Sequence, residues 1–287
     1  MKHLCKYLFF LGLLFTLGIA VGCGDADGDG DSTTLNNGSD GGKKMTTRKV
    51  AITDVYLSHA RFSPDGQRFA LVHDDGEVES LATLGVDGTD LSLLAENANY
   101  LTAPTWTSDG ASIVFYADDI SRINSDGSGL ESLLPAFAAM DLDLSPDDGH
   151  IVYGVNGGNL TIVGLQTRDS VTLDFSGNSP RYSPDGSQIA YITDSAIRVM
   201  DAQGADGRDV TTDTEDLSYL SSLDWFPDGE RLAITSKRGI EIVDIATGTR
   251  STLIDDFATK FIDVSPDGKS LVFGVNGQRY LTVVEGL

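Results

Sequence analysis

Cysteine is nearly missing from this chain of 287 residues: Cys5 and Cys23 are the only two, and both lie before residue 24. A cross-linked scaffold is thereby excluded, and the stability of the rest must come from a packed core large enough to need no staples. Basic residues are scarce as well, 20 against 43 acidic, for a formal charge of −23. Such a balance argues against nucleic acid and against adsorption to anionic lipid, both of which need a basic face. Solubility accounts for it without a partner. Histidine is rare: His59, His73 and His150 follow His3 at no metal-ligand spacing. There is no G-x-S-x-G elbow, no H-E-x-x-H pair and no glycine-rich phosphate loop. Proline numbers only 8, whereas glycine numbers 32, a balance that suits many tight turns rather than a disordered chain.

A short phrase recurs six times: Ser63-Pro64-Asp65-Gly66, Thr107-Ser108-Asp109-Gly110, Ser145-Pro146-Asp147-Asp148-Gly149, Ser183-Pro184-Asp185-Gly186, Phe226-Pro227-Asp228-Gly229 and Ser265-Pro266-Asp267-Gly268. From aspartate to aspartate the steps are 44, 38, 38, 43 and 39 residues, the period of one four-stranded propeller blade. Each phrase reads as a hairpin corner. Proline fixes φ at the first central position, aspartate suits the second, and glycine takes the left-handed closing position. Short apolar runs follow, such as Ile113 to Tyr116 and Ile189 to Ile192, as expected of strands covered on both faces. A second turn signal, as in Val86-Asp87-Gly88-Thr89, recurs about 20 residues on. The expectation is an all-β, six-bladed β-propeller over residues 48–287. In it the segment 48–54 supplies the missing outer strand of the last blade and latches the ring, covering edges that would otherwise be open.

The first 22 residues read as an export signal: Lys2, His3 and Lys6, an apolar stretch from Tyr7 to Ala20, and a small-residue site ending at Cys23. The apolar stretch is shorter than the ~20 residues of a membrane span. Ala20-Val21-Gly22-Cys23 resembles the lipobox of bacterial lipoproteins, with Ala20 where leucine is usual, and it makes Cys23 the expected lipidation site. Ordinary signal cleavage would cut the same bond. Without its signal the chain keeps 18 basic and 43 acidic residues, a formal charge of −25. Residues 23–47 read as an Asp/Gly-rich flexible tether. Asp25, Asp27, Asp29 and Gly30 have the spacing that opens a calcium loop, but the twelfth position is Asn36 rather than a bidentate glutamate. The segment therefore reads as spacer, with calcium only a weak candidate and no other metal or cofactor expected.

The repeat aspartates serve the same turn in every blade and are expected to be structural. Function is sought where blades differ, on the innermost strands at the channel mouth. Four residues before each repeat aspartate stand Arg61, Thr105, Asp143, Arg181, Asp224 and Asp263, and two residues earlier His59, Ala103, Asp141, Ser179, Ser222 and Phe261. His59, Arg61, Asp141, Asp143, Arg181, Asp224 and Asp263 are the candidate partner-binding residues. An ion-paired channel without a ligand explains the same positions.

The six phrases, each followed by an apolar strand, resemble the PD40-type (WD40-like) repeats of TolB-type propellers, over residues 48–287. The resemblance implies a periplasmic, non-enzymatic module that binds an envelope protein or peptide, with no nucleic acid, a lipid anchor as the one link to membrane, and a monomeric state. Lipidation would anchor it in the envelope, with the periplasmic face of the outer membrane as the expectation, while Gly24 and Asp25 after the cysteine do not decide between inner and outer membrane. TolB-type proteins also carry an N-terminal α/β domain and are soluble, which sets this chain apart from a Tol role. Departures from the repeat at Ser108 and Asp148 predict two looser corners. The alternative is a small propeller enzyme, a lyase or lactonase, using Asp141, Asp143, Asp224 and Asp263 with a bound divalent cation.

Overall fold

The computed structural model describes residues 33–36, 44–51, 55–96, 101–135, 139–155, 158–194, 196–212, 217, 222–255, 259–275 and 279–287. Cys23, Asp25, Asp27, Asp29 and the signal segment lie outside the described residues. Six antiparallel sheets stand around an axis, and each of the first five is a four-stranded meander. The innermost strands are Tyr56–Phe62, Thr102–Trp106, Ala139–Leu144, Asn178–Tyr182, Leu223–Trp225 and Thr259–Val264, in blades 1 to 6, and each packs against the next around the ring. The fold is the expected six-bladed propeller.

Apolar runs on the strands are explained by burial on both faces. In blade 1, Phe69 and Leu71 pack toward blade 6 with Val272 and Leu281, while the intervening Ala70 and Val72 pack toward blade 2 with Ile113 and Phe115. Every blade interface has its own cluster of this kind, and the core is therefore a ring of six layers rather than a central mass. Period-two alternation here separates two buried faces, not a wet face from a dry one.

Blade 6 is closed by the N-terminal segment. Lys44–Ala51 pairs antiparallel with Tyr280–Glu285, from Thr46 opposite Glu285 to Ala51 opposite Tyr280, and Thr33–Asn36 adds a fifth strand outside it. The latch is thus present, beginning four residues earlier than the sequence pattern suggests, and residues 33–36 and 44–47 of the expected tether are strand. Met45 enters the cluster between blades 5 and 6, and Val50 the one between blades 6 and 1.

The corners form as the repeat implies. Gly66 and Gly186 donate back to Ser63 and Ser183 at 2.8 Å, and both glycines sit at positive φ, 69° and 71°. The serine hydroxyl donates to the turn aspartate, 2.6 Å from Ser183 Oγ to Asp185 Oδ1, and accepts from Gln188 N at 2.9 Å. In blade 3 Asp148, at φ 56°, takes the left-handed position that glycine takes elsewhere, and Gly149 follows it.

Candidate functional site

Innermost strands of this ring are not regular. In blade 1 the pairing advances from Ser58 opposite Val72 to Arg61 opposite Ala70, and in blade 4 from Asn178 opposite Ile192 to Arg181 opposite Ala190. Each strand carries one extra residue, a bulge that re-aims the side chains beyond it. His59 and Ser179 sit in these bulges at φ 51° and 49°, a backbone conformation that non-glycine residues rarely adopt. His59 therefore does not share a regular face with Arg61. Its ring stacks on Phe261 at 6.1 Å between centroids, and Nδ1 lies 3.0 Å from Ser58 Oγ.

Past the bulge, Arg61 reaches across the axis. Its Nη1 donates to Asp263 Oδ1 of blade 6 at 2.9 Å, Asp224 Oδ1 of blade 5 lies 3.8 Å away, and Asp143 Oδ1 of blade 3 lies 3.8 Å from Nη2. One guanidinium thus joins carboxylates from three other blades, with 9% of the residue exposed. Burial disfavours its charge, but Asp263, Asp143 and Asp224 more than offset this and hold it protonated. Arg181, three blades away and 5% exposed, is also buried at the axis, where burial and then the Arg61 charge pull its proton affinity below the usual arginine range. Asp141 lies within electrostatic reach of Arg181. The structure thus gathers Arg61, Asp143, Arg181, Asp224 and Asp263, sets Asp141 beside them, and places His59 in the adjoining layer.

Each aspartate also has a structural task. The carboxylate of Asp263 accepts from Phe62 N at 2.7 Å, that of Asp224 from Val264 N at 2.7 Å, and that of Asp143 from Tyr182 N at 2.9 Å. The aspartate of one blade thereby caps a backbone donor on the innermost strand of the next. Where arginine holds that position, the next blade supplies tryptophan: Trp106 Nε1 donates to Arg61 O at 3.2 Å and Trp225 Nε1 to Arg181 O at 3.1 Å. The signal for these tryptophans was available, because each follows by one blade an arginine at the axial position.

Asp224 and Asp263 both hold their protons more tightly than ordinary carboxyls. Burial is the main cause; for Asp224 the neighbouring Asp263 charge adds to it and moves the group to about 7. A carboxyl of that affinity can give or take a proton near neutrality.

A divalent cation needs several oxygen, nitrogen or sulfur ligands around one point. Among the described residues, no three carboxylates, imidazoles or thiols converge so as to hold one. The place facing Asp143, Asp224 and Asp263 is filled by the Arg61 guanidinium, so these residues do not fit a resident metal. Clefts also open off the axis. Two of about 640 Å³ run between blades 3 and 4, beside Pro146 and Tyr182, and between blades 1 and 2, beside Pro64 and Trp106. Their recurrence at equivalent positions marks them as products of the repeat.

A six-bladed β-propeller with a charged axial cluster is the class that fold and site define. No family model matches the chain. The solved structures it resembles include a gluconolactonase from Xanthomonas campestris, with a TM-score of 0.67 and 14% identity over 84% of this chain and 89% of that one. An oligogalacturonate lyase in complex with manganese gives 0.56 and 16%, over 88% and 81%. A Vibrio parahaemolyticus oligogalacturonate lyase gives 0.55 and 11%, over 89% and 96%. At such identities the likeness is one of fold. An uncharacterized peptidase of Bacillus subtilis (strain 168) is 30% identical over 113 residues, which are 37% of this chain and 17% of that protein. This chain therefore spans a small part of that relative. The expectation of a non-enzymatic module is corrected by these matches. The three solved propellers named above are two oligogalacturonate lyases and a gluconolactonase, and the sequence relative is named a peptidase.

Proposed function

We propose that this propeller is an enzyme of the lyase or lactonase kind, acting on a sugar acid or its lactone at the axis and using protein groups in place of a metal. The observation that carries the reading is Asp224, a carboxyl of near-neutral affinity whose side chain is 14% exposed and lies 3.8 Å from a fixed guanidinium, Arg61. In a lyase step the carboxylate would take the proton next to a carboxyl group while Arg61 faces the developing negative charge. In a lactonase step it would take a proton from water as the ester carbon is attacked. The PD40-type repeat and the lipobox support a TolB-like propeller held at the envelope through Cys23, with the residues between Cys23 and Thr33 as its link.

The test is turnover by the purified full chain of oligogalacturonate, read as unsaturated ends, and of an aldonolactone, read as acid release. Asp224→Asn is expected to lower kcat by roughly 10²–10⁴ in a chain that still unfolds cooperatively. Wild-type protein that turns over neither compound would remove the reading, and capture of an envelope protein or peptide would then be sought.

A further inference from the structure

The two axial arginines have the same place in the repeat but not the same surroundings. Arg61 has its carboxylates. Among the described residues Arg181 has no carboxylate within 4 Å, and its one hydrogen bond runs from Nη1 to the carbonyl of the preceding Pro180, at 2.8 Å. Its Nε is buried with no hydrogen-bond partner, and so is Arg61 Nη2, since Asp143 Oδ1 at 3.8 Å is too far to accept. Two buried guanidinium donors at one axis are thus unspent. Leaving such donors unmade is costly, and a charged one more so. Trp225 Nε1 donates to the Arg181 carbonyl at 3.1 Å, so that tryptophan engages the backbone of Arg181 and not its guanidinium.

We infer that Arg181, assisted by Arg61 Nη2, is a carboxylate-binding site inside the channel, which anchors the acid group of a small sugar acid. The planar fork of arginine matches a carboxylate with two parallel N–H donors, which a single ammonium cannot do. An arriving carboxylate would satisfy Nε, pair with an axial cation that has no ion pair among the described residues, and lie beside Asp224. The inference rests on the proposed sugar-acid reading and names how such a ligand is held.

The experiment is thermal denaturation of the purified full chain with D-galacturonate, with acetate, with neutral galactose, and with sodium chloride at matched ionic strength. Galacturonate at roughly tenfold over its Kd is expected to raise Tm by roughly 2–5 °C, acetate less, and galactose and chloride not at all. Arg181→Gln is expected to abolish the shift while melting no lower than wild type without ligand, because it removes an unbalanced buried charge. Arg181→Lys, which keeps the charge but not the fork, is expected to lose most of the shift, and it carries the test should the glutamine variant fail to fold. A shift equal with chloride, or one that survives both substitutions, overturns the inference. Binding requires no turnover. Galacturonate that binds through Arg181 and is never converted leaves the site standing and removes the enzyme reading. Turnover with no shift, unaffected by Arg181→Lys, does the reverse.

Discussion

Arg61 and Arg181 stand at one repeat position, and their neighbours decide what each can do. Arg61 is the counter-charge of Asp143, Asp224 and Asp263, so Arg61→Met should leave three carboxylates facing one another across the axis. Removing one partner of a buried ion pair typically costs ~3–5 kcal/mol, and chemical denaturation at neutral pH is the measurement. The loss should shrink in acid, where Asp224 and Asp263 take up protons. Titration of the wild type has a definite sign. Asp224 and Asp263 bind protons more tightly folded than unfolded, so the stability they add is complete below the ordinary carboxylate range and lost as pH rises through about 7. Asp65, Asp185 and Asp267, lowered by hydrogen bonds from the turn serines and the backbone, act oppositely, adding stability that disappears as pH falls below that range. Stability should therefore peak in mildly acid solution. Asp224→Asn should flatten the decline between pH ~4 and ~7; an unchanged decline in melting temperature would assign it to other groups.

Turns show how much of an element a repeat can predict. The S-P-D-G phrase was legible in full as a corner, because proline, aspartate and glycine each have a local task. What it did not reveal is that corners touch. A side chain on Gly186 would meet Pro146 Cδ of the preceding blade at 3.4 Å, and one on Gly268 would meet Pro227 Cδ at 3.2 Å, so proline of one blade lies against glycine of the next. Between blades 2 and 3 both members change together. Ser108 replaces the proline, Asp148 replaces the glycine, and the Asp148 carboxylate accepts from Ser108 N at 2.9 Å and from Ser108 Oγ at 2.7 Å. The two corners expected to be loose are thus tied to each other. A single Ser108→Ala or Asp148→Gly should cost about 0.5–1.5 kcal/mol. In a double-mutant cycle the second change should add less than the first, with a coupling of roughly 0.5 kcal/mol or more. Strict additivity in urea denaturation would show that the pair contributes nothing. Bulges were hidden for a similar reason: the extra residue at His59 or Ser179 has no turn signature, and a period-two reading passes over it.

At the scale of the molecule, the period announced the ring, and counting positions back from the turn aspartate found the axial residues before any contact was visible. Legibility ended at the charges themselves. Sequence alone lists four aspartates and two arginines near the axis, but only the crossing of Arg61 to three other blades separates a neutralised cluster from a cation site. Closure, in contrast, was readable from spacing. The structure adds what the latch does: Val50 and Met45 enter two different blade interfaces, Arg48 Nη1 donates to Val86 O of blade 1 at 2.7 Å, and Arg48 pairs with Glu285 at 3.4 Å. A chain begun at Val55 would lose two buried side chains, each contributing about 1.5–3 kcal/mol, and would bare the backbone edge of Tyr280–Glu285. Such a chain should melt well below the full one and aggregate as its concentration rises. Adding a peptide spanning residues 44–51 in excess should restore part of the melting temperature, since the edge it pairs with is still present. Refusal of that peptide, together with an unchanged cooperative transition in the shortened chain, would mean that packing between blades 6 and 1 closes the ring unaided.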